Sequence, residues 1–132
     1  LYGLGRLALD RDEIPTAVAY FQESLSLYRV TQDPVAVADV VEGVALLADK
    51  QARPLLCAAL SGAAAAIRQN TGTAVPQVER QIHAQAEARA KTAVGESAFY
   101  TAWQQGSQMS LREALATTLT LLEKGLVPEE LP

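Results

Sequence analysis

The chain has 132 residues, of which 15 are acidic and 11 are basic, so its formal net charge is −4. This length is typical of one domain, and abundant alanine beside only 5% aromatic residues favours an all-helical body. The basic residues are scattered along the chain, which argues against direct binding of nucleic acid. Asp39, Glu42 and Asp49 interrupt the most apolar stretch, so no membrane span is predicted.

Cysteine usage and the first residues bear on where the protein works. Cys57 is the only cysteine, and the chain does not open with a signal-peptide pattern, so we expect a cytoplasmic protein. The chain begins at Leu1 without a methionine, and its first residues already follow a helical pattern. We therefore expect it to be a piece of a longer protein.

The first half of the chain predicts four helices, over residues 1–10, 14–31, 34–49 and 54–69. Prolines 15, 34 and 54 each stand at a first helical turn, where a missing N–H costs nothing. Asp33 is placed to cap the third helix. That helix is apolar around most of its axis, which predicts a position at the centre of the domain. Gly62 inside the fourth helix costs about 1 kcal/mol relative to alanine and so indicates close packing.

The second half predicts three more helices, over residues 76–94, 96–105 and 111–124, followed by a tail over 125–132. Ser110 and Glu113 have the spacing of a capping box at the start of the last helix. The expected inner stripe of the fifth helix consists of Val78, Ile82, Ala86, Ala90 and Ala93. Its opposite face, which is rich in charged residues, is expected to meet water.

A helical repeat is indicated near the amino terminus. Leu4-Gly5 followed by Ala17 and Phe21 has the spacing at which a large side chain on one helix faces a glycine on its antiparallel neighbour. A weaker copy aligns Gly43 with Gly5 and Ser61 with Phe21. We therefore predict an all-α, tetratricopeptide-like, right-handed superhelix of about seven helices. Residues 1–124 form its single domain, with two repeat pairs over 1–72 and three further helices over 76–124.

Several segments carry a family resemblance: residues 21–25 (FQESL), 42–45 (EGVA), 62–64 (GAA), 94–103 (VGESAFYTAW) and 110–114 (SLREA). Together they make the chain similar to the C-terminal helical-repeat region of large bacterial signal-transduction ATPases. Such regions are found fused to LuxR-type or antibiotic-regulatory DNA-binding domains, or to adenylate cyclase domains. The resemblance implies a sensor or interaction arm that regulates an ATPase module elsewhere in the parent protein.

Residues suited to chemistry are few. The chain has no phosphate-binding loop, and Gly3-Leu4-Gly5 lacks the third glycine of a dinucleotide site. His83 has Glu79 and Glu87 on the same side of its helix, which suits weak metal binding but is more typical of a solvated face. Cys57 is either a nucleophile or, as we favour, a small core residue. We predict no catalytic residue, no cofactor and no metal.

The predicted function is that of a non-catalytic interaction or sensor scaffold. Its partner is a protein, a peptide or another domain of the parent chain, and a homodimer is an alternative. The predicted groove is lined by the first and third helices, through Arg6, Asp10, Val37, Val40, Val41 and Val44. Because this groove is so apolar, either a partner helix fills it or the C-terminal helices fold over it. The alternative function is small-ligand sensing in a pocket near Trp103, although Trp103 is more simply an anchor for the sixth helix.

Overall fold

The computed structural model describes residues 1–126 and residue 131. That part of the chain contains seven α-helices and no strand: α1 (Tyr2–Asp10), α2 (Ile14–Thr31), α3 (Pro34–Lys50), α4 (Pro54–Thr71), α5 (Gln77–Val94), α6 (Glu96–Ser107) and α7 (Leu111–Glu123). The all-α prediction is confirmed, and no predicted helix is missing. The assignment to a tetratricopeptide-like superhelix stays a prediction. None of the helices in residues 1–126 has the length and apolar character needed to cross a membrane.

The helix ends follow the capping chemistry of the sequence. The Asp33 carboxylate accepts hydrogen bonds from the backbone N–H groups of Val35 and Ala36 at the start of α3. Ser110 and Glu113 form the predicted capping box at the start of α7, with reciprocal bonds of 3.1 and 3.0 Å. Gly72 ends α4 in the left-handed conformation, with a φ of 68°.

Helix α3 lies at the centre of the domain, as predicted. It contacts α1, α2, α4, α5 and α7, and every residue from Val40 to Ala48 is buried. Valine lowers intrinsic helix propensity by a few tenths of a kcal/mol, whereas full burial of a valine or leucine contributes about 1.5–3 kcal/mol. Burial therefore decides the stability of this helix.

Phe21 joins the first three helices. A Cβ atom on Gly5 of α1 would lie 2.5 Å from the Phe21 ring, and one on Gly43 of α3 would lie 3.0 Å from it. The predicted contact between Gly5 and Phe21 is thus confirmed. Gly43 also meets Phe21, together with Tyr2, so the second glycine packs against the first helix pair rather than against Ser61.

Helices α4 and α6 approach each other backbone to backbone. A Cβ atom on Gly62 would overlap the carbonyl oxygen of Trp103, and one on Gly106 would overlap the carbonyl oxygen of Ala59. Gly62 therefore has the packing role that its position inside a helix predicts. We call this α4–α6 contact the glycine seam.

The predicted inner stripe of α5 is correct in the middle of the helix and wrong towards both ends. Ala86 and Ala90 are buried, but Val78 is 83% exposed and Ile82 is 39% exposed. Ala93 is exposed as well. The expected solvent face turns partly inwards instead, because the side of α3 that α5 covers carries carboxylates rather than apolar groups.

The tail is described at two positions. Leu126 follows α7 and is buried, and Leu131 is half-buried against the main core. The remaining tail residues, 127–130 and 132, lie outside the described residues.

Candidate functional site

The four predicted groove valines, Val37, Val40, Val41 and Val44, have no exposed surface in the folded chain. Their assignment to an open partner-binding groove is therefore corrected: the four valines belong to the main hydrophobic core, which also contains buried residues of α1, α2, α4 and α7. Burial of so many apolar residues against the chain itself is the physical reason. Of the other two groove residues, Asp10 is exposed and Arg6 is buried.

Arg6 points towards α5 rather than into solvent. Its Nη1 donates to Glu79 Oε2 at 2.9 Å and to the Tyr2 hydroxyl at 3.1 Å, while its buried Nε has no partner among the described residues. The ion pair ties the first helix to the start of α5. Arg6 is thus part of the interior contact between two helices, and Asp10 does not share it.

The polar side of α3 forms what we call the charged seam, which consists of Asp39, Glu42 and Asp49 of α3 with Arg68 of α4 and Arg89 of α5. Arg68 Nε donates to Glu42 Oε2 at 2.9 Å, and Arg68 Nη2 donates to both Glu42 Oε1 and Asp39 Oδ1 at 2.6 Å. Arg68 and Glu42 are more than nine-tenths buried. The hydrogen bonds to Glu42 are the main reason that the pKa of Arg68 lies above its usual range. Arg89 forms a second, more exposed pair with Asp49 at 2.7 Å.

The sequence interpretation missed the partners in this network. It identified Asp39, Glu42 and Asp49 only as residues that interrupt the most apolar stretch. A usable signal exists, because Arg68 is the only charged residue within α4. A lone charge on an alanine-rich helix that packs against a helix with carboxylates indicates a buried ion pair.

A polar cleft opens between α3, α4 and α5, next to the buried Arg68–Glu42 pair. It has a volume of about 220 Å³ and is lined by Glu42, Ser61, Ala65, Arg68, Val75, Arg80, His83, Ala84 and Glu87. The expectation that His83 and Glu87 lie on a solvated face is corrected, since both are half-buried. Burial lowers the pKa of His83 and raises the pKa of Glu87. Within the described residues no group of three or more His, Cys, Asp or Glu side chains is arranged to hold a metal ion.

A second exposed feature is apolar. Leu4 and Leu7 lie on one side of α1, and Leu1 precedes that helix as its N-cap; they are 48, 46 and 43% exposed. A shallow groove of about 180 Å³ continues this surface onto α2 and is lined by Leu4, Leu7, Ala8, Arg11, Glu13, Thr16 and Tyr20. We call the three leucines with this groove the leucine face. The sequence interpretation noted that the first residues follow a helical pattern but did not identify an exposed surface there.

Cys57 and Trp103 both serve packing. Burial raises the pKa of the Cys57 thiol to about 12, so it stays protonated and is a poor nucleophile near neutral pH. Trp103 packs against a small cluster that includes Ala58 of α4 and Ala90 of α5, which supports its role as an anchor for α6. A cavity of about 240 Å³ lies nearby, but its lining does not include Trp103: Leu55, Ala59, Ala98, Thr101, Ala102, Gln105 and Leu131.

Comparison of the chain with known protein families, with curated proteins and with solved structures found no match.

Proposed function

We propose that this chain is a non-catalytic protein-interaction module that receives a helix of its partner on the leucine face. The observation that carries the proposal is the exposure of three leucines, of which two lie on one side of α1 and one is its N-cap. Most other leucines in the described chain are buried against neighbouring helices. A group of neighbouring exposed leucines is a typical feature of a binding surface.

The shape of the leucine face favours a helical partner. The groove lies between α1 and α2, with Leu4 and Leu7 on one wall and Tyr20 on the other. An amphipathic helix lays its apolar side into such a groove through residues at i, i+3, i+4 and i+7. Arg11 and Glu13 at one end of the groove offer charges of both signs for its polar flanks.

The wider setting is also part of the proposal. We infer a tetratricopeptide-like array, in which each repeat buries its apolar surface against its neighbours. Contacts of Phe21 with Gly5 and Gly43 support this arrangement, since they pack successive helices through small residues. In this setting the chain is the cytoplasmic regulatory arm of a multidomain bacterial transcriptional regulator or signalling ATPase. The partner helix belongs to a regulatory protein or to another domain of the parent chain.

The docking proposal is tested by selecting binders from a library of amphipathic helical peptides. We expect the selected peptides to protect amides of α1 and α2 from hydrogen exchange. Leu4→Asp should weaken binding by about a hundredfold, because a carboxylate then occupies the apolar contact. Val30→Asp on α2 is the matched control, because Val30 is 87% exposed and is not part of the groove lining.

Peptides that protect a different surface, or that bind Leu4→Asp as well as the unchanged chain, would overturn the docking proposal. The proposed setting has a separate test. The coding sequence adjoining this chain should specify a phosphate-binding loop of the form G-x-x-x-x-G-K-[ST]. An adjoining sequence without ATPase or regulatory domains would contradict the regulatory-arm assignment and leave the docking result intact.

A further inference from the structure

We propose that the polar cleft binds a small zwitterion, a molecule with a carboxylate at one end and an ammonium group at the other. This site is separate from the leucine face and does not depend on the function proposed for it. Three helices and Val75 of the preceding linker supply its lining, and residues 80, 83 and 87 face it from α5 at helical spacing. Polar groups that converge on one concavity from several helices are typical of a ligand site.

The charges of the lining determine the ligand class. Glu42 and Glu87 carry negative charge, and Arg68 and Arg80 carry positive charge, so the lining has no net charge. A simple anion would meet two carboxylates, and a simple cation would meet two guanidinium groups. A ligand with both charges avoids either penalty, provided that its ends match the arrangement of the lining.

Arg80 and Glu87 are the charges free to contact a ligand. Arg68 and Glu42 already satisfy each other with two hydrogen bonds on the cleft wall. Arg80 uses its Nε to donate to the Val75 carbonyl at 3.1 Å, which leaves its terminal nitrogens available. Glu87 is half-buried and accepts no hydrogen bond from the described residues. Burial raises its pKa, and the charge of Lys91, one turn further along α5, opposes that rise without forming an ion pair. A half-buried carboxylate that lacks a hydrogen-bond donor gains from a cationic ligand group.

The spacing of these two charges gives the ligand an orientation. Arg80 and Glu87 lie seven residues apart on α5, which corresponds to about 10 Å along the helix axis. The ligand carboxylate therefore contacts Arg80, and its ammonium group contacts Glu87. His83 lies between them and, being held neutral by its surroundings, offers one donor and one acceptor to the middle of the ligand. Ala65 and Ala84 leave the space that larger side chains would occupy.

Isothermal titration calorimetry with three matched compounds tests the proposal: ω-aminohexanoate, hexanoate and hexylamine. These share one carbon chain length and differ in which charges they carry. We expect ω-aminohexanoate to bind at least about tenfold more tightly than either singly charged compound. Arg80→Gln and Glu87→Gln should each weaken its binding by about tenfold or more. Glu23→Gln on α2 and Lys124→Gln after α7, both at exposed positions, are the controls and should leave binding unchanged.

Three results would overturn the proposal. One is the absence of measurable binding by ω-aminohexanoate. Another is equal binding of all three compounds, which would show that the cleft does not distinguish charge. The third is binding that survives both cleft substitutions, which would place the ligand elsewhere on the chain. Circular dichroism of each variant should retain the helical signal, because Arg80 is exposed and Glu87 pairs with no described residue.

Discussion

The glycine seam and the charged seam hold neighbouring helices together by opposite means. At the glycine seam, α4 and α6 meet through Gly62 and Gly106, and each glycine faces a carbonyl oxygen of the other helix. At the charged seam, α3 meets α4 and α5 through carboxylates and guanidinium groups. Excluded volume determines the first contact, which is insensitive to solvent, whereas charge determines the second, which responds to salt and pH. Substitutions at each seam can measure the two contributions separately.

The largest expected effect is at the buried part of the charged seam. Arg68→Met removes the cation and leaves Glu42 and Asp39 without a partner, which should lower the free energy of unfolding by about 3–5 kcal/mol. Urea denaturation followed by circular dichroism measures this loss. Replacing the network as a whole is the control: the triple variant Arg68→Met, Glu42→Leu, Asp39→Asn should recover most of the lost stability. If Arg68→Met unfolds at the same urea concentration as the unchanged chain, the buried ion pair does not stabilise the fold as proposed.

The next effect is at the glycine seam. Gly106→Ala places a methyl group on the carbonyl oxygen of Ala59, so the two helices must separate. We expect a loss of about 3 kcal/mol, the upper end of typical overpacking costs. Gly3→Ala in α1 is the matched control, because a Cβ atom there meets nothing within 4 Å. Gly3→Ala should raise the free energy of unfolding by up to about 1 kcal/mol, because alanine has a higher helix propensity than glycine. Similar thermal midpoints for the two variants would mean that α4 and α6 are not in backbone contact.

A smaller effect, which should depend on salt, is expected at the exposed part of the charged seam. The Arg89–Asp49 pair is partly exposed, so Asp49→Asn should cost about 0.2–1 kcal/mol. This cost should shrink in 1 M salt, where the screening length is about 3 Å. Asp12→Asn serves as the comparison, because the Asp12–Lys50 pair is more exposed and should contribute less. A cost for Asp49→Asn that does not change with salt would argue against an electrostatic contact.

The smallest effect is a pH dependence carried by His83. Its folded pKa lies below the ordinary value of 6.5, so from about pH 6.5 downwards the unfolded chain binds a proton that the folded chain does not. Stability is therefore complete above pH 6.5 and falls as the pH drops towards the folded pKa. Burial raises the pKa of Glu87 above its ordinary value of 4.5. Protonation of Glu87 therefore adds stability as the pH falls towards 4.5, which opposes the effect of His83. Glu42 and Glu79 favour the charged imidazole, and Arg6 and Arg68 oppose it.

His83→Gln tests this dependence, since glutamine does not titrate. The loss of stability between pH 6.5 and 5.5 should be smaller in the variant than in the unchanged chain, as measured by thermal midpoints across that range. A nuclear magnetic resonance titration of the imidazole gives an independent reading. A His83 pKa above 6.5 would reverse the expected sign.

The sequence predicted the helices well and the faces of α5 poorly, for a physical reason. Prolines 15, 34 and 54 and the capping box at Ser110 act locally, so the helix starts could be predicted from short spacings. Gly5 and Gly62 were identifiable because a small residue inside a helix signals close packing. Phe21 was identifiable from its spacing relative to Gly5. The orientation of α5 depends on Arg6 and Asp49, which pair with Glu79 and Arg89 from positions distant in sequence. The hydrophobic pattern of α5 alone places Val78 and Ile82 inside. It contains no information that the neighbouring helix α3 presents carboxylates to α5.

The burial of only Ala86 and Ala90 within α5 has a consequence for how the domain opens. Release of α5 from α3, α4 and α6 would hydrate charged groups and expose little apolar surface of α5 itself, so the process should depend only weakly on denaturant. Native-state hydrogen exchange should therefore show α5 amides exchanging through a local opening at low urea. Amides of α3 should exchange only when the whole domain unfolds. The domain would then consist of two cooperative units that differ in the surface each exposes on opening.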